Sequence, residues 1–183
     1  MDALSASNVT LLPVLAELLE YPTEGYQDLC RRACAKVRPW CSAEAAEELD
    51  RFIAAVTAVE LDELEELHTR TFSLAPVCVP YVGVQLFGEN NFKRGELLAG
   101  LSREIEKHGL STGSELSDHL GSVLKLAAVL PDDELKELMS WCLCIAVERM
   151  ARQIEPVDSP YKHLICAINW FINRARQEVT VHV

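Results

Sequence analysis

Between Tyr161 and Ala175 the chain sets an apolar residue at every third or fourth position: Tyr161, Leu164, Ile165, Ile168, Phe171, Ile172 and Ala175. That spacing follows the helical turn and is incompatible with the strict alternation of a half-buried strand. The same period recurs elsewhere. Leu11, Leu12, Leu15, Leu18 and Leu19 show it, as do Leu49, Phe52, Ile53 and Val56. Leu97, Leu98, Leu101 and Ile105 make another stripe, and Leu116, Leu120, Val123, Leu124 and Ala127 a further one. Each predicts an amphipathic helix with one buried face. A chain built this way has to fold by packing helix on helix, so the expected class is all-α.

Proline and glycine punctuate the stripes. Tyr21-Pro22-Thr23, Pro39 to Ser42, Leu110 to Ser114 and Pro156 to Pro160 mark connections. Val77-Cys78-Val79 and Val82-Gly83-Val84 are locally strand-like, but Pro76, Pro80 and Gly83 interrupt them. An irregular connection is therefore expected from Ala75 to Glu89, and long connections of this kind are often functional. A helix is expected from near Asp132 to near Ile154, with Asp132 and Asp133 favouring its start by capping and by the helix dipole. Within it, Trp141 to Val147 is apolar all round and predicts a central, fully surrounded segment. The sum is seven or eight helices in a single compact domain, residues 1–183.

Of the 183 residues, 28 are acidic and 17 are Lys or Arg, a net charge of -11. This balance excludes nucleic acid, whose binding depends on cations that displace phosphate counterions. It also disfavours anionic lipid. It suits a basic partner, and it also serves simply to keep a protein dispersed. In Glu60 to Leu67 the leucines recur every third residue and the acids take the other face, as either a solvated face or a dock for a basic peptide. No apolar run has the length of a membrane span, and the opening Met1-Asp2-Ala3-Leu4-Ser5 lacks the basic region of a secretory signal. The expected compartment is the cytoplasm.

Little points to chemistry. The seven cysteines are odd in number and fit no complete disulfide framework. Cys30 and Cys34 share a helix face, Cys142 and Cys144 do not, and no second close pair completes a zinc set. No His-Glu-x-x-His, Gly-x-Ser-x-Gly or phosphate-loop pattern occurs. The reading is of a non-enzyme with no metal site and no catalytic residue. A cysteine-based metal- or redox-responsive helical protein is the alternative. In Asp118-His119, Asp118 reads as a helix-start cap and His119 as its half-exposed neighbour.

Three ordered blocks resemble the redox-enzyme maturation chaperones, the group of TorD, DmsD and NarJ, and most of all the NarJ branch. The first is Leu67-His68-Thr69-Arg70-Thr71-Phe72, with His68 where Tyr is common. The second runs through Pro76, Pro80 and Tyr81 to Phe87-Gly88-Glu89 and Lys93-Arg94-Gly95. The third is Glu115-Leu116-Ser117-Asp118-His119-Leu120, with Ser117 where Pro often precedes the Asp. The resemblance implies an all-helical chaperone, monomeric or homodimeric. Its implied partner is the catalytic subunit of a molybdoenzyme, bound through a basic and apolar N-terminal leader. It also implies that Asp118, His119, Phe72, Pro76, Pro80 and Tyr81 form the leader-binding region. The molybdenum cofactor belongs to the client, so no cofactor of the chaperone's own is expected.

Overall fold

The computed structural model describes residues 5–181. Ten α-helices occur among them: α1 (Ser5–Glu17), α2 (Tyr26–Val37), α3 (Ala43–Thr57), α4 (Leu61–Phe72) and α5 (Val82–Phe87), then α6 (Phe92–Lys107), α7 (Leu120–Ala127), α8 (Asp132–Leu138), α9 (Cys144–Ile154) and α10 (Tyr161–Val181). A 3-10 turn, Arg38–Trp40, follows α2, and a π-helical turn, Met139–Leu143, joins α8 to α9. The described residues contain no strand, so the all-α expectation holds.

The count exceeds the expected seven or eight for two reasons. The connection from Ala75 is irregular only as far as Tyr81, and then closes into α5. The predicted helix from Asp132 to Ile154 has the right ends, but the π turn divides it. Its start is also different in kind. Pro131 holds the cap position with no side-chain cap, while Asp132, Asp133 and Glu134 supply only the negative charge that complements the dipole.

The central helix is α10. Its predicted stripe is wholly excluded from solvent, and it packs against α1, α3 and α9. The segment from Trp141 to Val147 is not central. Met139, Leu143, Ala146, Val147 and Met150 face inward, whereas Trp141 is 73% exposed. An apolar residue is free to sit at the surface, and composition alone could not place this one. Leu116 also departs from its predicted stripe. It lies outside α7 and is exposed.

Aromatic rings knit the core beneath the later site. Phe72 and His68 each pack edge-on to Tyr161, with centroids 5.0 and 5.4 Å away, and Phe52 closes the group at 5.9 Å. Tyr26 donates its hydroxyl to the Leu18 carbonyl at 2.7 Å, holding α2 to the end of the first helical segment. On α4 the leucines and acids divide as the sequence predicts, with Leu64 buried and Asp62, Glu63 and Glu66 exposed.

Candidate functional site

Two segments far apart in sequence meet backbone to backbone. The Val82 N–H donates to the Asp118 carbonyl and the Leu120 N–H to the Pro80 carbonyl, both at 2.8 Å. They form an isolated antiparallel bridge between Tyr81 and His119. The rings of these two residues pack edge to face at 5.6 Å. Tyr81 donates its hydroxyl to Glu115 at 2.7 Å, and Ser117 donates to the Leu98 carbonyl at 2.9 Å, which fixes the 111–119 loop to α6.

The cap expected of Asp118 falls instead to His119. His119 is the cap of α7: its Nδ1 accepts the Gly121 N–H at 3.2 Å, which leaves Nε2 to carry the proton of the neutral ring. Asp118 caps nothing. It is fully buried, and Oδ2 accepts from Arg94 Nε at 3.0 Å, with Arg94 itself only 13% exposed. The cap falls one residue later than the sequence pattern suggests, and the Asp118 carboxylate turns inward. Gly83 makes room for it. A β-carbon there would stand 2.6 Å from Asp118 Oδ2 and 2.9 Å from Arg94 Cγ. The Arg94 guanidinium also lies over the Tyr81 ring, 5.7 Å from its centroid.

Beside His119 opens a cleft of about 430 Å³ between the end of the first helical segment, α4, the 111–115 loop and the start of α7. His68, Glu115, Glu20 and Tyr21 share its lining with His119. His68 lies 3.2 Å from the Leu19 carbonyl through Nε2. Because a carbonyl only accepts, that nitrogen carries the proton, and Nδ1 is a bare, buried acceptor without a partner. Burial depresses the pKa of His68, opposed by its Leu19 bond and by Glu115. Burial likewise depresses that of His119, with Glu115 opposing and His68 adding to the effect. Burial, then the bond to Glu115, pushes the Tyr81 phenol up to about 12. The acceptors that the cleft offers are thus the Glu20 and Glu115 carboxylates, which suit a cationic, donor-rich group, while His119 keeps a donor at Nε2. Lys125 stands at its edge, paired with Glu20 at 2.8 Å.

Of the residues the resemblance nominated, Asp118, His119, Pro80 and Tyr81 meet at this junction. Phe72 is buried against His68 and Tyr161, beneath the cleft. Pro76 is half-buried in the connection. Arg94, Gly83, His68 and Glu115 were not nominated. Glu115 had a signal, standing three residues before Asp118 in the third block. The contact between Gly83 and Asp118 had none, because it joins positions 35 residues apart.

Other polar clusters are self-contained. Glu104, His108 and Glu134 bring ligand-type atoms within 4.8 Å of one another, but the Lys107 ammonium sits 2.7 Å from Glu104 and 3.9 Å from Glu134. Cys30 and Cys34 do share a buried face, and burial raises their thiol pKa values to about 11 and about 12.

Among solved structures, the fold is similar to the crystal structure of a protein assigned to redox enzyme maturation from Archaeoglobus fulgidus. The TM-score is 0.63 with 20% sequence identity, over 90% of this chain and 93% of that one. No curated protein sequence matches at a significant level. The profile of the nitrate reductase delta subunit family matches residues 41–165, well over half of the chain and inclusive of all three blocks. The chain therefore belongs to the nitrate reductase delta subunit family.

Proposed function

We propose that this protein is a cytoplasmic assembly chaperone that holds the N-terminal segment of a molybdoenzyme catalytic subunit while the molybdenum cofactor is inserted. Its family is one of molybdoenzyme assembly chaperones. No catalytic step is asked of it. The client segment, basic and then apolar, enters the cleft beside His119. A guanidinium or ammonium of that segment is received by Glu115 and Glu20. The net charge of -11 steers the basic segment inward, since complementary charge acts first on the encounter. Tyr81 and His119 contact the segment. Asp118 and Phe72 act from beneath, by holding the junction and the cleft floor in place.

The observation that carries this reading is the Tyr81–His119 bridge, which joins two blocks of the family-matched region at the mouth of an acceptor-lined cleft. Among the described residues no helix is long and apolar enough to cross a membrane, consistent with a chaperone that meets its client before translocation.

Titration calorimetry tests the proposal, using peptides from the N-termini of the host's molybdoenzyme catalytic subunits. One peptide should bind with micromolar or tighter affinity. His119→Asn keeps an α7 cap and removes the ring, and should weaken binding at least tenfold with little loss of stability. No heat with any of the peptides would reject the function. Tight binding indifferent to His119→Asn would reject the site.

A further inference from the structure

A second surface lies away from the cleft, and no part of the proposed mechanism uses it. Helices α6 and α8 and the π turn enclose an open groove of about 620 Å³. Its floor is apolar, made by Leu97, Leu101, Leu126, Leu130 and Leu138, and Trp141 stands at its wall. A tryptophan 73% exposed at the edge of such a floor is costly to leave in water. It is also the residue type that most often anchors a partner. The π turn that presents Trp141 is a rare conformation, and such turns are frequent at functional positions.

The rim is acidic. Glu96, Glu104, Glu134 and Glu137 border the floor, and Lys93 is the lining's one cation. Lys107 neutralises Glu104 and stands 3.9 Å from Glu134. Among the described residues Glu96 and Glu137 have no ion-pair partner, and both are exposed. An apolar trough bordered by unpaired carboxylates complements a helix with an apolar stripe flanked by lysine or arginine. The α6 wall has 16 residues, about 24 Å at the helical rise, enough for four turns of a docked helix. A second copy of this chain is a poor occupant, because it would bring another net charge of -11 against the same acidic rim. An anionic membrane surface is repelled for the same reason.

We propose that this groove is a second docking site, specific for a basic amphipathic helix and independent of the cleft at His119. Trp141 is its anchor, and Glu96 and Glu137 set its charge preference.

The test uses the full chain and two labelled helical probes of equal length, one with leucines and lysines, the other with leucines and glutamates. Fluorescence anisotropy should show binding of the lysine probe, at least tenfold weaker for the glutamate probe. Trp141→Ala and the double variant Glu96→Lys/Glu137→Lys should each reduce lysine-probe affinity at least tenfold. These side chains are exposed, so the variants should fold, and an unchanged melting temperature checks this. His119→Asn should leave the probe's affinity unchanged. Equal binding of the two probes, or lysine-probe binding indifferent to Trp141→Ala, overturns the proposal. Displacement of the probe by the client N-terminal peptide would make the groove the client-segment site itself, and overturns the second site. A dimer in sedimentation that Trp141→Ala dissociates would show the groove covered by another copy, and also overturns it.

Discussion

Replacing Asp118 with alanine should destabilise the fold far more than a surface carboxylate would. The carboxylate is fully buried and Arg94 is 13% exposed, so the pair is an interior one. Removing one member of such a pair costs roughly 3–5 kcal/mol, chiefly because the other charge is stranded. Arg94 keeps some access to water and a second contact, to the Glu89 carbonyl, so the low end, about 3 kcal/mol, is expected. For a domain of this size that is a fall in melting temperature of about 6–12 °C. Thermal and urea unfolding followed by far-UV circular dichroism would measure it. A double-mutant cycle with Arg94→Ala should return a coupling of about 1–3 kcal/mol, since the two residues form a contact. A cost below about 1 kcal/mol with no coupling would refute the view of Asp118 as the clamp of the junction. Loss of client binding in Asp118→Ala would then require direct contact with the client.

Three further outcomes are expected. Gly83→Ala should be destabilising, because its β-carbon would overlap Asp118 and crowd Arg94, and the double variant Gly83→Ala/Asp118→Ala should be less impaired than the sum of the two. Stability should fall as the pH drops below about 6.5, because burial lowers the folded pKa of both His68 and His119. Across that window the unfolded chain binds the more protons, so the stabilisation is complete above the unfolded value and lost on acidification. Denaturant titrations of His68→Gln/His119→Asn should show a flatter pH slope between about pH 7 and 5. In native protein a thiol reagent should label half-buried Cys41, Cys142 and Cys166 before the buried Cys30, Cys34 and Cys78, and access rather than acidity sets the order, since burial raises Cys41 and Cys30 alike to about 11. Mass spectrometry of the labelled peptides checks the order. Rapid labelling of Cys30 and Cys34, or stoichiometric metal in anaerobically purified protein, would instead favour a redox or metal role.

The helices were legible because their signal is local. The stripe from Tyr161 to Ala175 reads directly as the central face of α10, and Pro22, Pro156 and Pro160 end or separate helices where they stand. The site was legible in its members and less so in their parts. Asp118 has the chemistry of a cap, and only the tertiary bond from Val82 to the Asp118 carbonyl turns its side chain inward and hands the cap to His119. Val82-Gly83-Val84 has strand-like composition yet forms α5, which packs on α6 and α9, and Arg149 donates to the Gln85 carbonyl at its surface. Trp141 misled for the opposite reason. Its neighbours in sequence are core residues, but the side chain leaves the face that they share.

The crowding at Gly83 has an evolutionary corollary. Positions 83, 94 and 118 occupy one another's space, so their histories cannot be independent. Among relatives, a side chain should appear at position 83 only in lineages where position 118 has given up its carboxylate. Position 94 should then be released from arginine. The three should therefore drift as one unit.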